Sequence, residues 1–251
     1  MTDLHTHILP FTDDGATDFD DALDMAEMAA ENGTEIIAAT PHFNIPGIQS
    51  RSVSEIKDTF EQMKNKIEKN KIDISFVLGM EIFASPTVGE KLDCGELITL
   101  NGTRYPLIEF GFSEKKDFIF SVMDDLISRS YTPILAHPER YDCFISDLQS
   151  LYELYQMGVV IQINKGSILG RFGRRVQRTA DAILCHRLAA VAASDAHSPI
   201  TRTPDLSEFV RVLDMNYGDG CSPLLLEENP KRILRNEDVF WESPIPFDYQ
   251  R

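Results

Sequence analysis

Short apolar runs recur along the chain, and the segments between them carry their hydrophobic residues at helical spacing. The runs are "TDLH" (2–5), "TEIIAAT" (34–40), "ISFVLGME" (74–81), "YPLIEFG" (105–111), "TPILAH" (132–137), "VVIQIN" (159–164) and "AAVAASD" (189–195). Nearly continuous apolar stretches of this length predict strands buried on both faces. Between them, "DFDDALDMAEMAAENG" puts Leu23, Ala26 and Ala30 on one helical face and stops at Gly33. "SEIKDTFEQMKNKIEKN" spaces Ile56, Phe60, Met63 and Ile67 behind a Ser/Glu start. "DFIFSVMDDLISRS", "SDLQSLYELYQMG", a segment near 174–187 and "DLSEFVRVLDMNYG" continue the alternation. Strands alternating with helices predict a parallel sheet covered by helices, here a seven-stranded α/β barrel, closed or nearly so. Neither a repeat nor a linker divides residues 1–251, so a single domain is expected. Its tail, from about residue 236 and including "WESPIPF", is expected to wrap the barrel as an extended strap.

Composition narrows the partners. The chain has 24 basic and 40 acidic residues, a formal charge of −16. That balance argues against nucleic acid or an anionic membrane surface as the main partner. No apolar run has the length of a membrane span, and no secretory signal opens the chain. Cys94, Cys143, Cys185 and Cys221 are too widely spaced for a zinc knuckle or a small disulfide scaffold, so reduced thiols and a cytoplasmic location are expected.

The polar residues carry the chemistry. Of six histidines, His5, His7, His42, His137 and His197 stand at the ends of predicted strands, as do Glu81, Glu109 and Asp195. In a barrel these ends meet at one rim. His5 and His7, two apart on a strand, project to the same face, and Asp195 and His197 share that offset. With an aspartate of the "DDG" loop, Asp14 or its neighbour Asp13, they form a candidate ligand set for two or three divalent ions. Imidazole and carboxylate donors without thiolate suit Mn, Fe or Zn. His186, on a helix in "ILCHRLA", reads as structural. Arg140 and Arg202 follow His137 and His197 closely, and a guanidinium fork suits a phosphate dianion; salt bridges to carboxylates are the alternative. "GSILGRFGRR" (166–175) reads as a basic connecting loop near the same rim. Cysteine-dependent phosphatase chemistry is excluded, because the residues six after the cysteines are Leu100, Gln149, Val191 and Glu227. No P-loop, nucleophile-elbow or dinucleotide pattern occurs in a strand-to-helix setting.

The stretches "DLHTHILPFTDDGA", "ATPHF", "GMEIF", "YPLIEF", "ILAHPERY" and "ASDAHSP…TR" resemble the PHP (polymerase and histidinol phosphatase) superfamily. They are most similar to its bacterial tyrosine-protein phosphatase branch of capsular and exopolysaccharide synthesis. The resemblance extends from Asp3 to "ENPKRILRN". It implies a distorted (β/α)7 TIM-like barrel, a trinuclear centre usually described with manganese, and dephosphorylation of the tyrosine kinase that controls polymer export. It implies His5, His7, Glu81 and Asp195 around one ion, and Glu81, Glu109 and His137 around a second. Asp14, His42 and His197 go to the third, and Arg140 and Arg202 to the phosphoryl oxygens. The expected reaction is in-line attack by a metal-bound hydroxide with no covalent enzyme intermediate. The other readings are a small-molecule phosphatase acting on a substrate such as histidinol phosphate, a nuclease-type PHP domain, and a non-catalytic metal-binding regulator of a kinase.

Overall fold

The computed structural model describes residues 1–47 and 51–247. Part of the "NIPGIQSRS" loop and the last four residues of the tail therefore lie outside the described residues. The strands are β1 (Thr2–Thr6), β2 (Ile36–Ala39), β3 (His42–Phe43), β4 (Ser75–Leu78), β5 (Glu81–Phe83), β6 (Leu107–Glu109), β7 (Ile134–Ala136), β8 (Val160–Asn164) and β9 (Ala189–Ala193). Helices α1 (Phe19–Glu31), α2 (Val53–Asn70), α3 (Val88–Asp93), α4 (Lys116–Ser128), α5 (Asp142–Ser146) and α6 (Leu148–Gln156) cover the first six strands and their connections. They are followed by α7 (Lys165–Ile168), α8 (Arg174–Cys185), α9 (Ser207–Tyr217), α10 (Cys221–Pro223) and α11 (Asn229–Leu234).

Every ladder is parallel, in the orders β1-β2-β4 and β3-β5-β6-β7-β8-β9. The two sheets are one circuit interrupted at a proline. β2 and β3 lie on either side of Thr40–Pro41, and β4 and β5 on either side of Gly79–Met80. Pro41 has no N–H to give the ladder, yet its carbonyl accepts from Glu81 N at 3.1 Å, and Ala39 O accepts from Gly79 N at 2.8 Å. The pairing therefore runs on across the break, and seven staves result. The end of β9 returns to β1 through Asp195 N to His5 O at 3.0 Å and His7 N to Ala196 O at 2.8 Å. This is the seven-stave barrel expected, seamed by a short bridge rather than a full ladder. One boundary differs: the 74–81 run is not a single strand, and Glu81 opens β5 instead of closing β4. Gly79 packs closely on Leu100: a side-chain carbon there would lie 2.6 Å from Leu100 Cδ2.

Helical patterning works as expected for α2, which buries Ile56, Phe60, Met63 and Ile67 behind a Ser52–Glu55 capping box. In α1 the buried face is Ala22, Met25, Ala26 and Ala29, rotated slightly from the one expected. Leu107, Ile134, Val160 and Val191 form a second apolar cluster with Leu4, Ile233 and Val239. Strand alternation puts Leu107 and Val160 on the same faces as Glu109 and Gln162, so this cluster fills the barrel below its polar end.

Residues 237–247 form no helix or strand and run along the surface, pinned at several points. Tyr105 Oη donates to Glu237 O at 2.6 Å, and Trp241 packs edge-on to Tyr155 at 4.9 Å. His186 pairs with Ile245 through Nδ1 and its backbone O, and stacks on Phe247 at 3.9 Å. The fully buried Asn229 donates to Ala190 O and Phe240 O, and accepts from Phe240 N at 2.7 Å. Removing that amide leaves one Ala190 and two Phe240 backbone groups without their side-chain partner. Asn229→Ala should lower unfolding free energy by about 2–3 kcal/mol. Denaturant titration measures the loss, and limited proteolysis should show cleavage within 237–247 that the parent chain resists.

Candidate metal centre

Parallel register builds the site. His42 pairs with Glu81 and Phe83 with Glu109, so the ends of adjacent staves deliver imidazole and carboxylate side by side. His5 lies within β1 and His7 just past it, while His137, Asp195 and His197 stand immediately beyond β7 and β9. His137 (φ 36°), Asp195 (φ 51°) and Arg202 (φ 50°) all adopt left-handed backbone. Non-glycine residues carry that cost where the surroundings force a side chain into a set position.

All nine predicted ligands meet at this rim. Three sets have donor atoms close enough to share an ion: His7, Asp14, His42 and His197; His5, His7 and Glu81; and His42, Glu81 and Glu109. The sets overlap: His7, His42 and Glu81 each belong to two of them. Asp195 Oδ1 borders them at 3.4 Å from His7 Nε2 and 3.6 Å from His5 Nε2, while His137 Nε2 touches Glu81 Oε1 at 2.8 Å. The two aspartates separate by role. Asp14 Oδ1 faces His197 Nε2 at 3.5 Å and His42 Nε2 at 3.6 Å. Asp13 turns away, accepting from His7 Nδ1 at 2.7 Å, His42 N at 2.8 Å and Gly15 N at 2.9 Å. This loop is tight enough to require glycine: a side-chain carbon at Gly15 would lie 1.9 Å from His7 O.

The donors fit divalent cations. Glu81 Oε2, Glu109 Oε1, His42 Nδ1 and His197 Nε2 are buried with no hydrogen-bond partner among the described residues. His42 Nδ1 lies 3.0 Å from Glu81 Oε2 and 2.9 Å from Glu109 Oε1, close but misaligned for hydrogen bonding. Lone pairs aimed at shared points rather than at each other are what metal coordination needs and what a protein core otherwise avoids. Titration follows the same logic. Burial pulls His42 down, yet its contacts with Glu109 and Glu81 push it up to about 10. Burial likewise opposes charge on His5 and His7, but Glu81 and Asp195 raise the first and Asp13 raises the second well above its ordinary value. His197 is lowered by burial and by His7. Against burial, His5 and His137 among others hold Glu81 well below the usual carboxylate range, and His5, His7 and Arg202 do so for Asp195. Protons thus occupy places that cations would take.

A supporting shell lay beyond sequence reasoning. Gln162 Oε1 contacts His5 Nδ1 at 2.8 Å and its amide donates to Asn164 Oδ1 at 2.7 Å. Asn164 in turn donates to Asp195 Oδ2 at 2.6 Å. The signal was present in "VVIQIN", where two amides alternate on one face of an otherwise apolar strand. Buried Glu139 accepts from Asn164 N at 3.0 Å and ties the "HPER" turn to β8; burial raises its carboxyl above the ordinary value.

The centre floors a cleft of about 280 Å³, lined also by Ile45, Phe83, Phe112, Arg140 and Arg202. Both arginines reach Asp195 Oδ2, Arg202 at 2.5 Å and Arg140 at 3.5 Å. Arg140 lies between two rings, 4.3 Å from Phe112 and 4.6 Å from Phe172. The 166–175 segment is not one connecting loop: residues 166–168 lie in α7, 174–175 open α8, and Phe172 in the turn between them packs on a site residue. Lys165, its amine lowered to about 8 by burial, donates to Thr203 O and to Asp205 O at 2.9 Å, fixing the Arg202 loop.

A seven-stave parallel barrel with a histidine–carboxylate cluster at one rim defines a metal-dependent hydrolase scaffold. Over residues 1–235 the chain matches the family described as "Capsular polysaccharide synthesis, CpsB/CapC", and it belongs to that family. It is 34% identical to "Tyrosine-protein phosphatase YwqE" of Bacillus subtilis, over 98% of this chain and 96% of the relative. A solved structure from work on Bacillus subtilis YwqE and Streptococcus pneumoniae CpsB, described as unique metal-dependent tyrosine phosphatases, superposes with a TM-score of 0.92 at 34% identity. It covers 99% of this chain and 100% of that one. Histidinol phosphate phosphatase of Lactococcus lactis shares the fold, with a TM-score of 0.59 at 13% identity over 86% of this chain and 94% of that one.

Two outcomes test the centre. Asp13→Ala should weaken divalent-metal binding by about 10- to 100-fold in calorimetric titration, because it releases the His7 ring. Since contacts with Glu109 and Glu81 raise His42 to about 10 and Asp13 raises His7 well above its ordinary value, these rings hold protons at neutral pH without metal, and loading at pH 7 should expel protons. Titration in buffers of different ionisation enthalpy should show the release, with affinity rising as pH rises; pH-independent affinity would contradict the reading.

Proposed function

We propose that this chain is a metal-dependent protein-tyrosine phosphatase, a single catalytic domain with a docked C-terminal strap. It acts in the cytoplasm on a tyrosine kinase of capsular or exopolysaccharide synthesis, with two or three divalent ions, manganese foremost. The observation that carries it is the convergence of unpartnered buried imidazole and carboxylate atoms on the floor of a cleft that also presents two guanidinium groups. Its four cysteines are free thiols and none lines that cleft, which accords with a reaction needing no thiolate.

His5, His7, Asp14, His42, Glu81, Glu109, His137, Asp195 and His197 would hold the ions. When bound, such ions supply Lewis acidity toward phosphoryl oxygens and bring water ionisation near neutral pH. The remaining work falls to the chain. Arg140 and Arg202, each tethered loosely or closely to Asp195, present N–H groups to the phosphoryl oxygens where charge accumulates. Asp13 and Gln162 hold the His7 and His5 rings, fixing which nitrogen faces the centre. A phenolate leaves with a pKa of about 10, so tyrosine esters need little proton donation, and no general acid is required of the chain.

Exhaustive chelation should abolish phosphotyrosine-peptide hydrolysis and Mn²⁺ should restore it, whereas a thiol alkylator should leave it intact. Arg140→Ala should lower kcat/KM by about 10²- to 10³-fold. Faster turnover of histidinol phosphate than of the peptide would favour the small-molecule reading, and hydrolysis that survives chelation would refute a metal-dependent one.

A further inference from the structure

Phe112 stands at the cleft mouth, three residues after Glu109, and is 46% exposed while lining the cleft. Its place is fixed nonetheless. Its carbonyl accepts from Asp142 N at 2.8 Å, and its ring lies 6.2 Å from buried Tyr141 and 6.3 Å from His137, centre to centre. Arg140 packs against the ring at 4.3 Å. An exposed aromatic side chain held this firmly offers a preformed apolar surface beside the group best placed to grip a phosphoryl oxygen. Phe172 also contacts Arg140 but does not line the cleft.

Resting on the phosphatase reading above, we infer that Phe112 reads the phenyl ring of the substrate, stacking on it at the mouth while Arg140 holds the phosphoryl group. Phe112 is then a specificity residue favouring aryl over alkyl phosphates, and Phe172 is a positioning residue for Arg140. The chemistry suits this division. The phosphoryl end of the ester is dianionic and belongs on the cationic floor, whereas whatever lies beyond the ester oxygen must leave through the mouth. An aliphatic chain gains little from a π face there, but a phenyl ring gains a stacking partner.

Binding of two non-hydrolysable probes separates the ring from the anion. Calorimetry on the manganese-loaded full chain would compare phenylphosphonate with methylphosphonate. Phe112→Ala should raise the phenylphosphonate Kd by about five- to tenfold and leave methylphosphonate within about twofold. Phe112→Trp should keep the parent ratio, and Phe112→Leu, which preserves bulk, carries the same test should alanine destabilise the chain. Phe172→Leu should weaken both probes together. Equal weakening of both probes by the Phe112 variants would reduce that residue to a support for Arg140 and overturn the inference, as would no change in either. Failure of the parent chain to hydrolyse a phosphotyrosine peptide would instead strike the phosphatase reading, and the probe ratio is read independently of it.

Discussion

Glu81 sets the terms for the whole rim. Its carboxylate is fully buried, with His5, His7, His42 and His137 all within 3.2 Å of one of its two oxygens. An isolated carboxylate in that position would carry a desolvation cost of several kcal/mol. It is tolerable only where positive charge, from protons or from cations, sits among the surrounding rings. The barrel exists to hold that arrangement. Its C-terminal strand ends bring side chains from separate chain segments together at one rim.

The break in two staves follows from this demand. Pro41 releases the ladder for one step, and the chain re-enters pairing with His42 opposite Glu81. Across the barrel, the left-handed turns at His137 and Asp195 end their strands abruptly, leaving the side chains at the rim. The apolar cluster from Leu107 and Val160 to Ile233 and Val239 lies beneath this rim, and the strap closes over Asn229 and His186.

A gradient of chemistry runs from floor to mouth. At the floor, unpartnered imidazole and carboxylate atoms dominate. Midway, Arg140 and Arg202 balance Asp195. At the mouth stands the ring of Phe112, and Phe172 also packs on Arg140. A phosphate monoester has the same polarity along its length, dianionic at one end and organic at the other. Lys165 and Gln162 touch no part of the cleft, yet they set the positions of the Arg202 loop and the His5 ring.

Much of this was legible in the chain alone. The alternation of apolar runs and amphipathic segments follows from backbone hydrogen bonding and burial, which act locally, so the barrel, the faces of α2 and the candidate ligands could be read from spacing. The 74–81 run reads as one strand, but it divides at Gly79–Met80, where its pairing passes from Ala39 to Pro41 on a stave distant in sequence. Asp13 and Asp14 are neighbours of identical chemistry, and only the fold of their loop around Gly15 turns one toward His7 and the other toward His42 and His197. Which histidines share an ion, and which ring stands beside Arg140, depend on distances across the barrel. Sequence lists the donors, because residue type and strand position are local properties; tertiary structure pairs them, because coordination and stacking are decided by contacts between segments that the chain order keeps apart.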